Sequence, residues 1–395
     1  MTLDFKNLIH LYYCAIYDKT PDKREYNIEN ILLLAKKHEI LQSVFFAIKK
    51  LANEDKIKIE KDKFALLNAQ IMSDIALNIR RKQGLYEAIE ELEENGIKCC
   101  LLKGDSIGRL YANPHARVSG DIDILIDEKD EVKAIDILKN LEFDVKERGE
   151  IDHHFEAFSY DNAILEVHIK LYSDATKDLV FNGMINYSKD YVKITLPSGN
   201  KVNTLNVNDN AFYLTAHFLK HFIAGGVGLR QISDMLVFFD KYKNEIDFNL
   251  YFETFDKLRY SKLLCAVFKL GNDYFNLDFN IPYEISNEIF EKFLTCIEEN
   301  GVFGNGDQTY SQFYNTFVER RSGVKNALEY KKVSKIRRIF PDFNHMKIIY
   351  PFLEKMPFLL PFTYFMRVFR VIFHTKKKKE INDKVFSIFK DFDII

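Results

Sequence analysis

Apolar positions along the chain follow two periods. Between residues 1 and 95 they recur every three or four residues, the spacing of a buried helix face. Leu8, Leu11, Tyr12 and Ala15 begin the pattern. Asn27 is placed as the N-cap of a second helix. A long third stretch carries Phe64, Leu67, Ile71, Ile75, Leu85, Ile89 and Leu92 before Gly96, a predicted C-cap. From residue 97 the period shortens to two. Strands are expected at Ile97–Leu102, Asp121–Ile126, Leu141–Val145, His154–Tyr160, Ala163–Ile169, Tyr191–Leu196 and Lys201–Leu205. A short helix over Ser106–Tyr111 and an amphipathic one over Lys129–Asn140 interrupt them. Helical spacing returns at Asp209–Ile223 and, after Gly225-Gly226-Val227-Gly228, at Leu229–Tyr242. The order predicts an α+β (mixed α/β) chain with three regions. These are N-terminal helices over 1–95, a small mixed sheet over 96–206, and C-terminal helices over 207–395.

Charge enters this pattern at one place that apolar packing does not explain. Asp121 and Asp123 stand one residue apart in an otherwise apolar run. On a strand they project from one face while Ile122, Ile124 and Ile126 point to the other. Adjacent carboxylates repel, and a hard divalent cation between them removes that cost. Glu166 and His168 likewise share a face opposite Leu165, Val167 and Ile169. His217, Lys220 and His221 fall on one helix face at spacings of three and four. Cysteine is absent at ligand spacing near them, so a zinc site is not expected there. Arg230 and Asp234 are spaced as an intrahelical ion pair.

Composition changes the picture little. The chain has 395 residues, 47% hydrophobic, with 35 Phe, enough for more than one core layer. A net charge of −2 supplies no global field for nucleic acid. Five scattered cysteines imply reduced thiols, and no leader-like or spanning apolar run is visible, so a cytoplasmic protein is expected. Two local basic features remain. Lys331–Arg338 is a cationic run. The segment 350–379 combines proline-interrupted apolar residues, Arg367, Arg370 and Lys376–Lys379. The latter is expected to close the C-terminal region with a solvated tail; a membrane-surface contact is its secondary reading.

The strand ending in Lys103-Gly104-Asp105, the short helix, the Asp-Ile-Asp-Ile-Leu-Ile strand and the wording Tyr-x-x-Pro-x-x-Arg resemble a bacterial group of uncharacterised nucleotidyltransferases. That group lies within the DNA polymerase β-type superfamily. The resemblance implies a nucleotidyltransferase core in the sheet region. It also implies a glycine turn at Gly104, metal-holding acids at Asp121 and Asp123, and a third carboxylate, for which Glu166 is the candidate. It further implies Mg²⁺ (or Mn²⁺) and an NTP as co-substrate. Glu166 is then expected to serve also as general base. Nucleotide contacts are expected from Lys103, Gly104, Asp105, Ser106, Arg117, Ser119, His168, His217, Lys220 and His221. Asp105 departs from the superfamily pattern, because an acid beside a triphosphate is unfavourable unless it faces away or touches metal. Lys103 and Arg117 have an alternative as ion-pair partners of Asp105 or Asp127. His153 and His154 read equally as ligands or as paired surface histidines. The acceptor is unidentified. A small molecule is favoured over protein or RNA, for which Lys331–Arg338 is the one local hint. A non-catalytic nucleotide-binding regulatory protein of the same fold is the alternative function.

Overall fold

A computed structural model describes residues 1–146, 148, 153–172, 187–223, 226–302, 353, 356–365 and 387–394. Residues Met1–Gly306 form one compact unit and Asp307–Ile395 a second. The basic runs Lys331–Arg338 and Lys376–Lys379, the Gly304–Asp307 loop, Arg367 and Arg370 lie outside the described residues. No helix among the described residues is long and apolar enough to cross a membrane.

The first unit opens with helices α1 (Leu3–Ile16), α2 (Ile28–Lys37), α3 (Leu41–Asn53) and α4 (Lys61–Glu94). Asn27 caps α2, its side chain accepting from the amide of Asn30. Gly96 follows α4 with φ +80°, a left-handed turn that suits glycine and directs the chain into the sheet.

The sheet has seven strands among the described residues: β1 (Cys100–Leu101), β2 (Asp121–Leu125), β3 (Asp144–Lys146), β4 (His154–Phe158), β5 (Ile164–His168), β6 (Tyr191–Thr195) and β7 (Lys201–Leu205). Their order is β3-β4-β5-β2-β1-β7-β6. β2 pairs with β5, and β1 with β7, in parallel; the remaining neighbours are antiparallel. The expected mixed sheet is therefore present. Its first strand is shorter than the apolar run Ile97–Leu102 suggested, and the helix expected at Ser106–Tyr111 is a single turn, α5 (Asp105–Gly108).

Alternation along β2 divides the sheet's two faces. Ile122, Ile124 and Ile126 join Leu165, Val167, Phe155 and Ala157 beneath α4 and α6 (Glu131–Asn140). Each buried Ile, Leu, Val or Phe side chain among them contributes about 1.5–3 kcal/mol. On the opposite face Leu125 packs with Cys100, Leu102, Leu171, Leu205 and Tyr213, the last from α7 (Val207–Ile223). Asp121, Asp123, Glu166 and His168 occupy that second face, so the apolar layer under α4 and α6 holds the acids rigidly from behind. Helices α8 (Leu229–Lys241), α9 (Phe248–Lys257), α10 (Ser261–Phe275) and α11 (Asn287–Asn300) complete the unit.

Candidate active site

The second face of the sheet carries a cleft of about 260 Å³, roofed by α7. Asp121 and Asp123 enter it from β2, Glu166 and His168 from β5, and Lys103 from the turn after β1. The parallel register sets Asp123 opposite Glu166. The antiparallel register of β4 and β5 sets His154 opposite His168 and Glu156 opposite Glu166. His217, Lys220 and His221 reach the cleft together from α7, as their helical spacing requires.

Asp123 is almost wholly buried. Its Oδ1 lies 3.0 Å from Lys103 Nζ and 3.2 Å from His168 Nε2. Lys103 Nζ also lies 3.9 Å from Asp121 Oδ2, and His168 Nε2 lies 3.6 Å from Glu166 Oε2. Burial pushes the Asp123 carboxyl up, but Lys103 and His168 outweigh it and hold the group well below the usual carboxylate range. The reciprocal effect operates on both cations. Burial favours their neutral forms, yet the acids raise Lys103 and His168 above their ordinary values. Farther from the acids, burial dominates. It lowers His217 and Lys220, and it brings His153 and His221 to about 3.

The donor set fits a divalent cation. One oxygen each from Asp123 and Glu166 lie within 4.8 Å of one another, with His168 beside them, and Asp121 shares their face. A positive charge already stands between the aspartates, the Lys103 ammonium. Hard carboxylate oxygens suit Mg²⁺ or Mn²⁺.

Several residues expected among the nucleotide contacts sit elsewhere. Asp105 turns its carboxylate away from the cleft, onto α4. Lys82 Nζ binds one oxygen and Tyr86 Oη donates to the other at 2.8 Å. Those two partners hold its charge, and the unfavourable acid beside a triphosphate does not arise. Burial raises the Asp105 carboxyl, but the Lys82 ammonium and both hydrogen bonds leave it below its ordinary value. Ser106 spends its hydroxyl and amide on the carbonyl of Lys103, at 2.9 and 3.1 Å, so that amide is not free for an anion. Ser119 directs its hydroxyl to the carbonyl of Asp121 at 3.4 Å. Gly104 adopts φ 55° and ψ −117°, a conformation that favours glycine, and nothing crowds its missing Cβ. Its part is to turn Lys103 toward the acids.

Arg117 is buried against α8. Its Nε and Nη2 reach Asp234 at 2.8 and 2.5 Å, and Tyr111 Oη donates to the same carboxylate at 2.7 Å. Asp105 and Asp127 are not its partners, and Asp234 is not the partner of Arg230. Arg230 pairs with Glu39 at 2.6 Å instead. The planar guanidinium matches a carboxylate in bidentate fashion, which a spacing-based expectation of an i,i+4 pair does not consider. Ser233 extends the network to Tyr12 at 2.8 Å. The network clamps the segment before β2 onto α8 and so fixes where Asp121 begins. Asp105 and Arg117 line a separate cavity of about 540 Å³ behind the turn, beside α4.

The residues not foreseen are Lys82 and Tyr86; His153 and His154, read as ligands or as paired surface histidines, line the cleft. An i,i+4 spacing of Lys82 and Tyr86 on α4 was visible; their meeting with Asp105 was not.

A family model described as "Uncharacterised nucleotidyltransferase" matches residues 24–276. The chain belongs to this nucleotidyltransferase family. The match takes in α2 through α10, hence every element that lines the cleft. This nucleotidyltransferase is also similar to two solved structures. One is the lincosamide antibiotic adenylyltransferase LnuA bound to lincomycin, at 17% identity over 33% of this chain and 83% of that one, with a TM-score of 0.25. The other is the antibiotic-resistance factor ANT(2'')-Ia, at 11% identity over 41% of this chain and 84% of that one, with a TM-score of 0.30. Both likenesses are too distant to bear on the acceptor. No curated protein matches the chain.

Proposed function

We propose that this nucleotidyltransferase moves a nucleoside monophosphate from an NTP to a small-molecule acceptor and releases pyrophosphate. Asp121, Asp123 and Glu166 would hold Mg²⁺ or Mn²⁺. The observation that carries the reading is the register of β2 against β5, which sets Glu166 beside Asp123 on the face that Asp121 shares. When bound, the divalent ion would draw charge from the α-phosphate and the departing pyrophosphate.

The chain's own groups account for the rest. Glu166, half-buried at the cleft wall, is positioned to take the proton from an acceptor hydroxyl or amine as its heteroatom bonds to the α-phosphorus. The bond between that phosphorus and the bridging oxygen breaks, and the oxygen leaves with the electron pair on pyrophosphate. Lys103 and Lys220 supply positive charge for those phosphates. His217 and His221, neutral through burial, offer donors and acceptors to ribose or base. His168 holds Asp123 from the neighbouring strand. The net charge of −2 favours a small acceptor over nucleic acid.

The test is release of pyrophosphate from NTP and Mg²⁺ across a panel of hydroxyl- and amine-bearing small molecules. The D121N/D123N double variant should abolish it while the fold persists by circular dichroism. Turnover unchanged in that variant would remove the proposal.

A further inference from the structure

We propose that His153, His154 and His168 form a second cation site, for a borderline transition ion of the Zn²⁺ class, at the edge of the carboxylate cleft. His154 and His168 are direct cross-strand partners on β4 and β5, so their side chains leave the sheet side by side. His153 precedes β4, and its carbonyl accepts from the amides of Ile169 and Lys170 at 3.0 and 3.4 Å, which ties it to the end of β5. The ring centroids are 4.8 Å apart for 153 and 154, 5.3 Å for 153 and 168, and 5.1 Å for 154 and 168. One ring nitrogen of each lies within 4.8 Å of the other two.

Two of these rings carry a buried nitrogen with no hydrogen-bond partner, Nδ1 of His154 and Nδ1 of His168. His168 is only 5% exposed. Its Nε2 faces Asp123 Oδ1 at 3.2 Å. An ionised carboxylate can only accept, so Nε2 carries a hydrogen towards Asp123, and Nδ1, buried and without a partner, is the nitrogen left to meet an ion, which binds there in exchange for any proton it carries. A carboxylate on one nitrogen and a metal on the other is the arrangement that orients a ligating imidazole. The proposal places the ion on Nδ1 of His168, with His153 and His154 completing three nitrogen ligands. Imidazole nitrogens select Zn²⁺, Co²⁺ or Ni²⁺ over Mg²⁺. Three protein ligands leave one tetrahedral position for water or a substrate oxygen. Cysteine is not required, so its absence at ligand spacing does not argue against this site.

The test uses the full chain stripped with a chelator and titrated with Co²⁺. Visible absorption of tetrahedral intensity should appear, be displaced by Zn²⁺, and survive Mg²⁺. H153A and H154A should each weaken Co²⁺ binding about tenfold or more. D121N should retain the absorption whether or not it transfers nucleotide, which separates this inference from the proposed activity. Circular dichroism checks each fold. If H154A fails to fold, H153A decides, since its ring lies outside the strand ladder. No tetrahedral absorption in the unmodified chain, or absorption unchanged in folded H153A, overturns the proposal.

Discussion

Asp123 and Glu166 are register partners on the parallel strands β2 and β5, and the Lys103 ammonium lies 3.0 Å from the first of them. The ammonium therefore occupies ground that a divalent cation would contest. Lys103→Met should tighten Mn²⁺ binding without nucleotide, measured by paramagnetic resonance, because the competitor is gone. The same variant should raise the KM for NTP, because a phosphate partner is gone. Weaker Mn²⁺ binding in the variant would show that Lys103 does not compete for the acids.

Asp123→Asn should lower kcat by about a hundredfold or more, since ligand charge at a phosphoryl-transfer centre is worth several kcal/mol. Steady-state pyrophosphate release measures it. Activity within a few fold of the unmodified chain would place the metal-holding acids elsewhere.

The Arg117–Asp234 pair is buried and bidentate. Removing one partner leaves a charge without compensation, at about 3–5 kcal/mol. Asp234→Ala should thus destabilise the chain by that order in urea unfolding. Arg230→Ala, which breaks a more exposed pair with Glu39, should cost about 1 kcal/mol or less. Equal losses in the two variants would contradict the assignment of the clamp to Arg117.

Gly104→Ala meets no steric obstacle, so its effect isolates backbone conformation. A residue with φ 55° and ψ −117° carries strain of about 1–3 kcal/mol once a Cβ is present. Stability should fall by that amount, and the KM for NTP should rise as Lys103 shifts. A neutral substitution would mean the turn relaxes freely.

Stability should decline on acidification below pH 6.5. Burial brings His38, His153 and His221 to about 3, against 6.5 in the unfolded chain. Between those values the unfolded chain binds more protons, so stability rises with pH and is lost as pH falls. His168 acts oppositely. Its raised value contributes stability present below pH 6.5 and lost as pH climbs through the folded value. His38→Asn keeps an acceptor for the Leu229 amide that His38 Nδ1 binds at 3.2 Å. That variant should flatten the pH dependence of urea midpoints between pH 4 and 6.5; an unaltered slope would assign the effect to other groups.

Much of the site could be read residue by residue. Alternation through Asp121–Ile126 separated acids from core, and the spacing of His217, Lys220 and His221 put them on one side of a helix. Both are local consequences of backbone periodicity. Expectations failed where a charge had a choice of partners. Arg230 and Asp234 satisfied a local spacing rule, but Arg117 offered Asp234 a planar, buried fork. Asp105 looked misplaced until α4 brought Lys82 and Tyr86 to it.

Periodicity along the chain thus determined which side chains share a face, because strand and helix geometry repeat over a few residues and need no distant partner. It also determined that carboxylates, lysine and histidines would stand on polar faces of an α+β chain. Which faces meet was decided only by the tertiary structure. The parallel pairing of β2 with β5 made Asp123 and Glu166 neighbours, and the β4–β5 register gathered His153, His154 and His168. The packing of α7 and α8 chose the cleft's roof and the partner of Arg117. Strand register and helix docking depend on the whole core at once, and no short stretch of residues encodes them.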